Sequence, residues 1–359
     1  MKLEIYDLTL KLIGSYPFEL DKGIDFDLEN ECKNNVRIFI DEDYDEEIVI
    51  NHFVFFHYAN SNRLGKIIDL KQKGKIIDLT ILLNADIFTN SIFNYNSNTS
   101  SGYVFENSIK PIELGISEYF NQHTNVTPFT YVSEINDFDM YDSVIYTQLS
   151  ETFKVNDYIR KMQANRHITT NLTLKYDQNT NGLYIEVRVS KLDNSYIVFN
   201  ENYDVLGLPE IDFQNDVVNC LNIQAFNSTT NKFIREPLTY ILNTDNVVEL
   251  LEGSLGVPTY LISNSVVFSV SDNEISDTAL LAFAIDELAN AYNNEIKFKT
   301  KLTSNIKLNE LMGRYAIFIL KNGNPIFSRI SGINLVNGIA QITLGASRKR
   351  LTDKLKRRL

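Results

Sequence analysis

Tryptophan is absent from this 359-residue chain, cysteine occurs twice and histidine four times. Two cysteines as far apart as Cys32 and Cys220 cannot build a disulfide framework or a zinc site, so both read as reduced thiols. Histidine is too sparse for a ligand cluster. His52 and His57 lie five apart in an apparent strand, hence on opposite faces, and His123 and His167 stand alone. No run approaches the roughly 20 apolar residues of a membrane span. Charges at Lys2, Glu4, Asp7 and Lys11 exclude a secretory core at the start, which predicts a protein made in a cytosol with no membrane insertion. There is no His-Glu-x-x-His helix, no Gly-x-Ser-x-Gly elbow and no phosphate-cradling glycine loop, so no motif points to catalysis.

What is present is aromatic and acidic. Nineteen Tyr and 22 Phe favour strands, and 359 residues exceed what one core usually serves. The formal net charge is −12, yet residues 348–359 carry seven cations against Asp353, a local +6 that leaves −18 on the rest. An acidic body repels nucleic acid but would suit a conduit through which DNA passes without sticking. In the basic tail Leu351, Leu355 and Leu359 recur every fourth residue, an amphipathic stripe suited to docking or trimer contact, with Arg348 at its entry.

Two acidic readings compete at Asp41-Glu42-Asp43-Tyr44-Asp45-Glu46-Glu47. Asp41, Asp43 and Asp45 copy the early ligand spacing of a calcium loop, but Glu46 stands where Gly is required and His52 where the closing Glu belongs. A solvated turn is the better reading, with a looser calcium site as the alternative; no other cofactor is implied. The Asn-x-Ser/Thr triplets and the scattered carboxylate pairs are what so Asn-rich and acidic a chain yields by chance.

The patterning predicts a β-rich α+β protein of several barrel-like domains with a few short helices. Strands are expected near 2–13, 36–40, 48–58, 66–70 and 76–83, then a polar tract at 94–101 and a short helix over 111–121. A helix opened by Asn156 or Asp157 precedes a hairpin, 172–176 with 183–189, and two strands follow near 217–225 and 260–270. The best-patterned part comes last. Ser276-Asp277-Thr278 offers side-chain caps to a helix whose Leu281, Ile285, Leu288 and Tyr292 share one face. Ile296 to Lys299 alternates as a half-buried strand, Tyr315 to Leu320 is a continuous apolar run, and turns at Asn322-Gly323 and Asn337-Gly338 join the strands of a meander. The division expected is 1–92, 93–205, 206–275, 276–345 and a tail over 346–359.

The order of these short elements is itself informative. Leu3-Glu4-Ile5-Tyr6-Asp7 opens the chain; Gly65-Lys66-Ile67-Ile68-Asp69-Leu70 is echoed by Gly74-Lys75-Ile76-Ile77-Asp78-Leu79; Val217 to Ile223 follows. Leu311-Met312-Gly313-Arg314, Ile330-Ser331-Gly332-Ile333 and Gly345-Ala346-Ser347-Arg348 then close it. This succession resembles the baseplate hub proteins, the N-terminal hub domains of tail-associated proteins in long-tailed, non-contractile phages of Gram-positive hosts. The resemblance implies a homotrimer whose two barrel-like domains per subunit alternate in a pseudo-sixfold ring against the distal tail ring protein. Such a ring adapts symmetry, caps the tube and opens it for DNA. It also implies that residues 206–275 could return toward the first barrel, and makes metal-triggered opening conceivable. Longer members carry a fibrous or wall-degrading extension beyond the point where this chain stops, which favours a non-enzymatic hub. A wall hydrolase and a saccharide-binding module remain as alternatives.

Overall fold

The computed structural model describes residues 2–345 apart from 29, 42–46, 59–60, 90–91, 95–102, 106–112, 114–115, 117–128, 136–144, 148–151, 180, 194, 214–217, 245–246, 271–274, 289–293 and 302–310. Seven strands open the chain: β1 (Lys2–Tyr6), β2 (Leu12–Leu20), β3 (Ile24–Asp27), β4 (Lys33–Phe39), β5 (Phe53–Tyr58), β6 (Ser61–Lys73) and β7 (Ile76–Leu83). Six of them close into a barrel in the order β1-β2-β4-β7-β6-β5. Alternation drives this, since Val36 and Ile38 of β4 and Ile77 and Leu79 of β7 are buried while Arg37, Ile76 and Asp78 beside them are exposed. The expected first strand is two strands, because the chain turns at Asp7: its carboxylate accepts from the N–H groups of Thr9 at 2.8 Å and Lys11 at 2.9 Å. His52 precedes β5, so only His57 lies in a strand.

β3 leaves the barrel. It pairs antiparallel with the distant strand Pro325–Val336, matching Asp27 to Gly332 and Ile24 to Leu335, within a seven-stranded sheet. That sheet also holds Ile197–Asn200, Leu206–Phe213, Asn294–Lys301, Tyr315–Ile319 and Ile339–Leu344. The C-terminal meander is therefore as expected, and the crossing between the two β units is made by β3. Residues 206–275 make no strand pair with the first barrel among the described residues. The two units share one hydrophobic core, in which Ile5, Val54 and Ile67 join Phe298, Phe318 and Ile342.

The central hairpin is longer than predicted, Ile168–Asp177 against Gly182–Lys191. It packs with helix α1 (Val155–Arg166) on the outside of the barrel, where Tyr6, Phe53 and Leu64 meet Ile159, Met162 and Val187. Neither Asn156 nor Asp157 caps α1: Lys154 holds the cap position without a side-chain bond, and Asp157 lies in the first turn, favourable to the helix dipole. Glu113 and Ile116, the described residues of the helix expected over 111–121, are helical; the rest of it and nearly all of the polar tract lie outside the described residues.

Strands Cys220–Asn227, Lys232–Phe233, Leu238–Leu242, Val248–Leu250 and Ser263–Val270 form a separate five-stranded sheet. Helix α2 (Asp277–Leu288) covers it, started by the Ser276 hydroxyl, which accepts from the Ala279 N–H at 3.2 Å. The stripe α2 buries is Leu280, Ala284 and Leu288, one residue off the expected Leu281 and Ile285, and it faces this sheet instead of the meander that follows it in sequence.

Candidate functional site

The residues singled out from the sequence do not converge. Asp41 is exposed just past β4, its carbonyl accepting from the Lys75 ammonium at 2.6 Å. Asp43, Asp45 and the interface candidates Arg348, Leu351, Leu355 and Leu359 lie outside the described residues. Among the described residues no group of three or more His, Cys, Asp and Glu could hold a metal ion. His57 Nδ1 sits 3.0 Å from the Asn62 side chain, and the two cysteines are free, one half-buried and one buried. Burial pushes the Cys32 thiol up to about 12, helped by the nearby carboxylates of Asp27, Asp86 and Asp25, so it is held protonated and poorly nucleophilic.

The polar chemistry of the molecule gathers instead where the barrel, α1, the hairpin and β3 meet. A cavity of about 50 Å³ lies there, lined by Asp25, Asn34, Asp86, Arg160, Gln163 and Thr170 among others, room for one or two waters. The sequence places these residues on different elements. Asp86 sits in the 3-10 turn Asn84–Phe88 that ends β7, Arg160 in the middle of α1, and Asn34 in β4, where its side-chain oxygen accepts the Asp25 N–H at 2.7 Å.

Arg160 is the centre of this joint. Its guanidinium, with 9% of the side chain exposed, is shared between Asp86 and Asp157, and the other Asp86 oxygen accepts the Cys32 N–H at 3.0 Å. Burial raises the Asp86 carboxyl to about 6 despite the guanidinium beside it, so desolvation outweighs the pairing there. The Thr170 hydroxyl lines the cavity and meets no hydrogen-bond partner among the described residues.

α1 is tied to the second sheet through three further contacts. Gln163 donates to the Met312 carbonyl at 2.9 Å, the Arg329 guanidinium donates to the Ala164 carbonyl, and His167 Nε2 lies 2.8 Å from the Tyr315 hydroxyl. His167 closes the helix in the left-handed region at φ 54°, its N–H bonded to the Met162 carbonyl. Burial, with the Arg329 charge adding to it, depresses its pKa to about 4, so the imidazole is neutral near pH 7. On the other flank Arg63 of β6, wholly buried, stacks 5.1 Å from the centre of the Phe26 ring of β3. The Tyr58 hydroxyl accepts the Asn337 N–H at 3.1 Å. These groups fix elements to one another; none is arranged as a nucleophile with a base.

Sequence reading missed Asp86, Arg160, Arg63 and Arg329, and took His167 as isolated. Only the Asp157–Arg160 pair, at helix spacing i,i+3, left a local trace.

No protein-family model matches this sequence, and no curated protein matches it. Architecture does match. The prophage tail protein gp18 of Listeria monocytogenes EGD-e superposes with a TM-score of 0.57 at 9% identity, covering 99% of this chain and 98% of that one. The chain has a phage tail protein's fold. The tail protein of Neisseria meningitidis MC58 is similar too, with a TM-score of 0.50 at 10% identity and 96% of each chain covered. At such identities the backbone course of these tail proteins is shared while the side chains are not.

Proposed function

We propose that this chain is a baseplate hub protein at the distal end of a phage or prophage-derived tail, without enzymatic activity. The observation that carries this reading is the end-to-end match to gp18, which covers 99% of this chain and 98% of the other. Two β units fused through one core and linked by β3 support it. As the resemblance to hub proteins implies, the two units of each subunit would alternate around the axis, so that three subunits offer six units to a hexameric neighbour. The ring would bind the distal tail ring protein and other tail-tip proteins, and close or open the tube for DNA. An acidic body, −18 without the tail residues, suits a wall that DNA must slide past. The Leu351, Leu355 and Leu359 stripe, entered at Arg348, adds a further trimer contact, and Asp41, Asp43 and Asp45 are the residues through which calcium would act.

Light scattering of the purified chain with and without calcium tests this. The expected mass is three times 41.2 kDa. A monomer at high concentration removes the ring, and a shape indifferent to calcium removes the acidic turn as a trigger.

A further inference from the structure

Three carboxylates, Asp25, Asp27 and Asp86, line the cavity at the joint, and among the described residues that line it Arg160 is the one cation. The Asp25 carboxylate accepts the Asn334 side-chain amide, a neutral donor, and meets no cation among the described residues. Burial, with Glu31 and Asp157 adding to it, raises the Asp86 carboxyl to about 6 in spite of Arg160. The Thr170 hydroxyl, on a residue 5% exposed, lines the same cavity and has no partner among the described residues. A pocket built this way is short of one positively charged hydrogen-bond donor, because the carboxylates and the hydroxyl oxygen all accept.

The chain carries its cations close to this place. Asp27, Gly332 and Thr343 form one lateral row across β3 and two strands of the meander, so Asp27 and Thr343 are two strand spacings, about 10 Å, apart. Leu28, which lines the cavity, donates its N–H to the Ser331 carbonyl at 2.9 Å, and the Ser331 hydroxyl donates to the Thr343 carbonyl at 3.3 Å. The last strand ends there, at Gly345 with φ 89°. Residues 346–359 lie outside the described residues, and their first cations are Arg348, Lys349 and Arg350. Extended chain from Gly345 to Arg348 spans about 10 Å before the side chain is counted, so the reach matches the distance.

We infer that the basic segment at Arg348, Lys349 and Arg350 folds back on its own chain and docks at this acidic cavity, one cationic head group entering beside Asp25 and Asp27. Charge selects that occupant, since residues 348–359 carry +6 against −18 on the rest. Size agrees: about 50 Å³ has room for an ammonium or the tip of a guanidinium and none for a nucleotide base. Docked in this way, the segment straps the joint between the two β units. The anchor uses the cations and not the Leu351, Leu355 and Leu359 stripe, so it does not depend on the ring.

Limited trypsin digestion of the full chain, read by mass spectrometry, tests this, because trypsin cuts after the same cations. Wild type is compared with Asp25→Asn/Asp27→Asn and with the control Glu19→Gln/Asp21→Asn, which removes as much charge from exposed carboxylates elsewhere on the barrel. Proteolysis follows the undocked population, so cleavage after Arg348, Lys349 and Arg350 should run about tenfold faster in the Asp25/Asp27 variant than in wild type and control. Equal rates in all three overturn the docking. A control as fast as the variant reduces it to a general attraction to an acidic body and overturns the site. Thermal melting checks folding; if the Asp25/Asp27 variant melts early, Arg348→Gln/Lys349→Gln/Arg350→Gln takes its place, and cleavage after Lys354 must rise above wild type or the docking is overturned. Ser347→Cys, joined by a short bis-maleimide to Cys32, whose N–H is held by Asp86 at the cavity, separates the same chain from a neighbour. A linked species of 41.2 kDa on a denaturing gel upholds docking on the same chain, whereas a species of twice that mass, or no link between two thiols that each react singly, overturns it.

Discussion

Arg160 shows what a single buried charge costs to misplace. With Asp86 and Asp157 on its guanidinium its own desolvation is offset, but removing it strands Asp86 in a place where burial already raises the carboxyl to about 6. Arg160→Met should therefore destabilise the protein by about 3–5 kcal/mol near neutral pH. The guanidinium holds that carboxyl down, so without it the stranded group takes up its proton above pH 6; the loss should shrink as the pH falls, and urea titrations at pH 8.5 and 5 would show it. An equal loss at both values would mean that Asp86 is solvated after all. His167 works in the opposite sense. Its folded pKa of about 4 lies below the ordinary 6.5, so the unfolded chain binds more protons between those values. Its contribution is complete above pH 6.5, falls as the pH drops toward 4, and reaches a loss of about 3 kcal/mol. The stability difference between wild type and His167→Gln should follow that curve; a difference constant with pH would refute the buried neutral imidazole.

β3 is the element on which the architecture turns, and the glycine before it shows why. Gly23 has φ +85°, and a Cβ there would lie 2.0 Å from the Leu335 carbonyl oxygen, the backbone that β3 must pair with. Gly323, in the turn between two meander strands, has nearly the same φ of +84° and nothing within 4 Å of such a Cβ. Ala at Gly323 should cost on the order of 1 kcal/mol through φ alone. At Gly23 it should cost clearly more and open the pairing of Ile24–Asp27 with Gly332–Leu335, seen as faster amide exchange in both strands. Equal costs at the two glycines would show that β3 docks loosely. Helix α2 makes a related point about elements. Its start followed from the Ser276 cap, and Tyr292, expected on its face, lies outside the described residues; but Leu281, Ile285, Leu280, Ala284 and Leu288 left two neighbouring stripes to choose from. The sheet it lands on made the choice, and small Ala284 lets the helix lie close against Leu221 and Phe268.

For the whole molecule, the fold of a tail protein is combined with an acidic surface and no helix, among the described residues, long and apolar enough to cross a membrane. If DNA passes without sticking, the full chain should leave a duplex unshifted on a native gel at physiological salt, with its basic C-terminal residues present. A shift lost on truncation after Gly345 would instead make residues 346–359 a nucleic-acid contact. Zymography on Gram-positive cell walls addresses the enzymatic alternative: no clearing is expected, and a lytic band abolished by one carboxylate or cysteine substitution would replace the hub with a hydrolase.

Much of this protein could be read from local pattern. Alternation in Val36–Ile40 and Ile76–Leu83, the Asn-Gly turns and the caps of residues 276–278 specify strands, hairpins and a helix through interactions that span a few residues. A β-rich, acidic chain without a membrane helix or catalytic motif follows from the sequence alone. Pairing at long range does not. Asp27 meets Gly332 and Arg63 meets Phe26 because barrel closure and core sharing bring them together, and no short window records that. The joint around Asp86 and Arg160 was hidden for the same reason: a charge at a given position looks alike whether solvent or a barrel wall faces it. The run Tyr315 to Leu320 is the mixed case: its apolar residues announce a strand, and only the tertiary structure shows that Ala316 and Phe318 are the ones in the core.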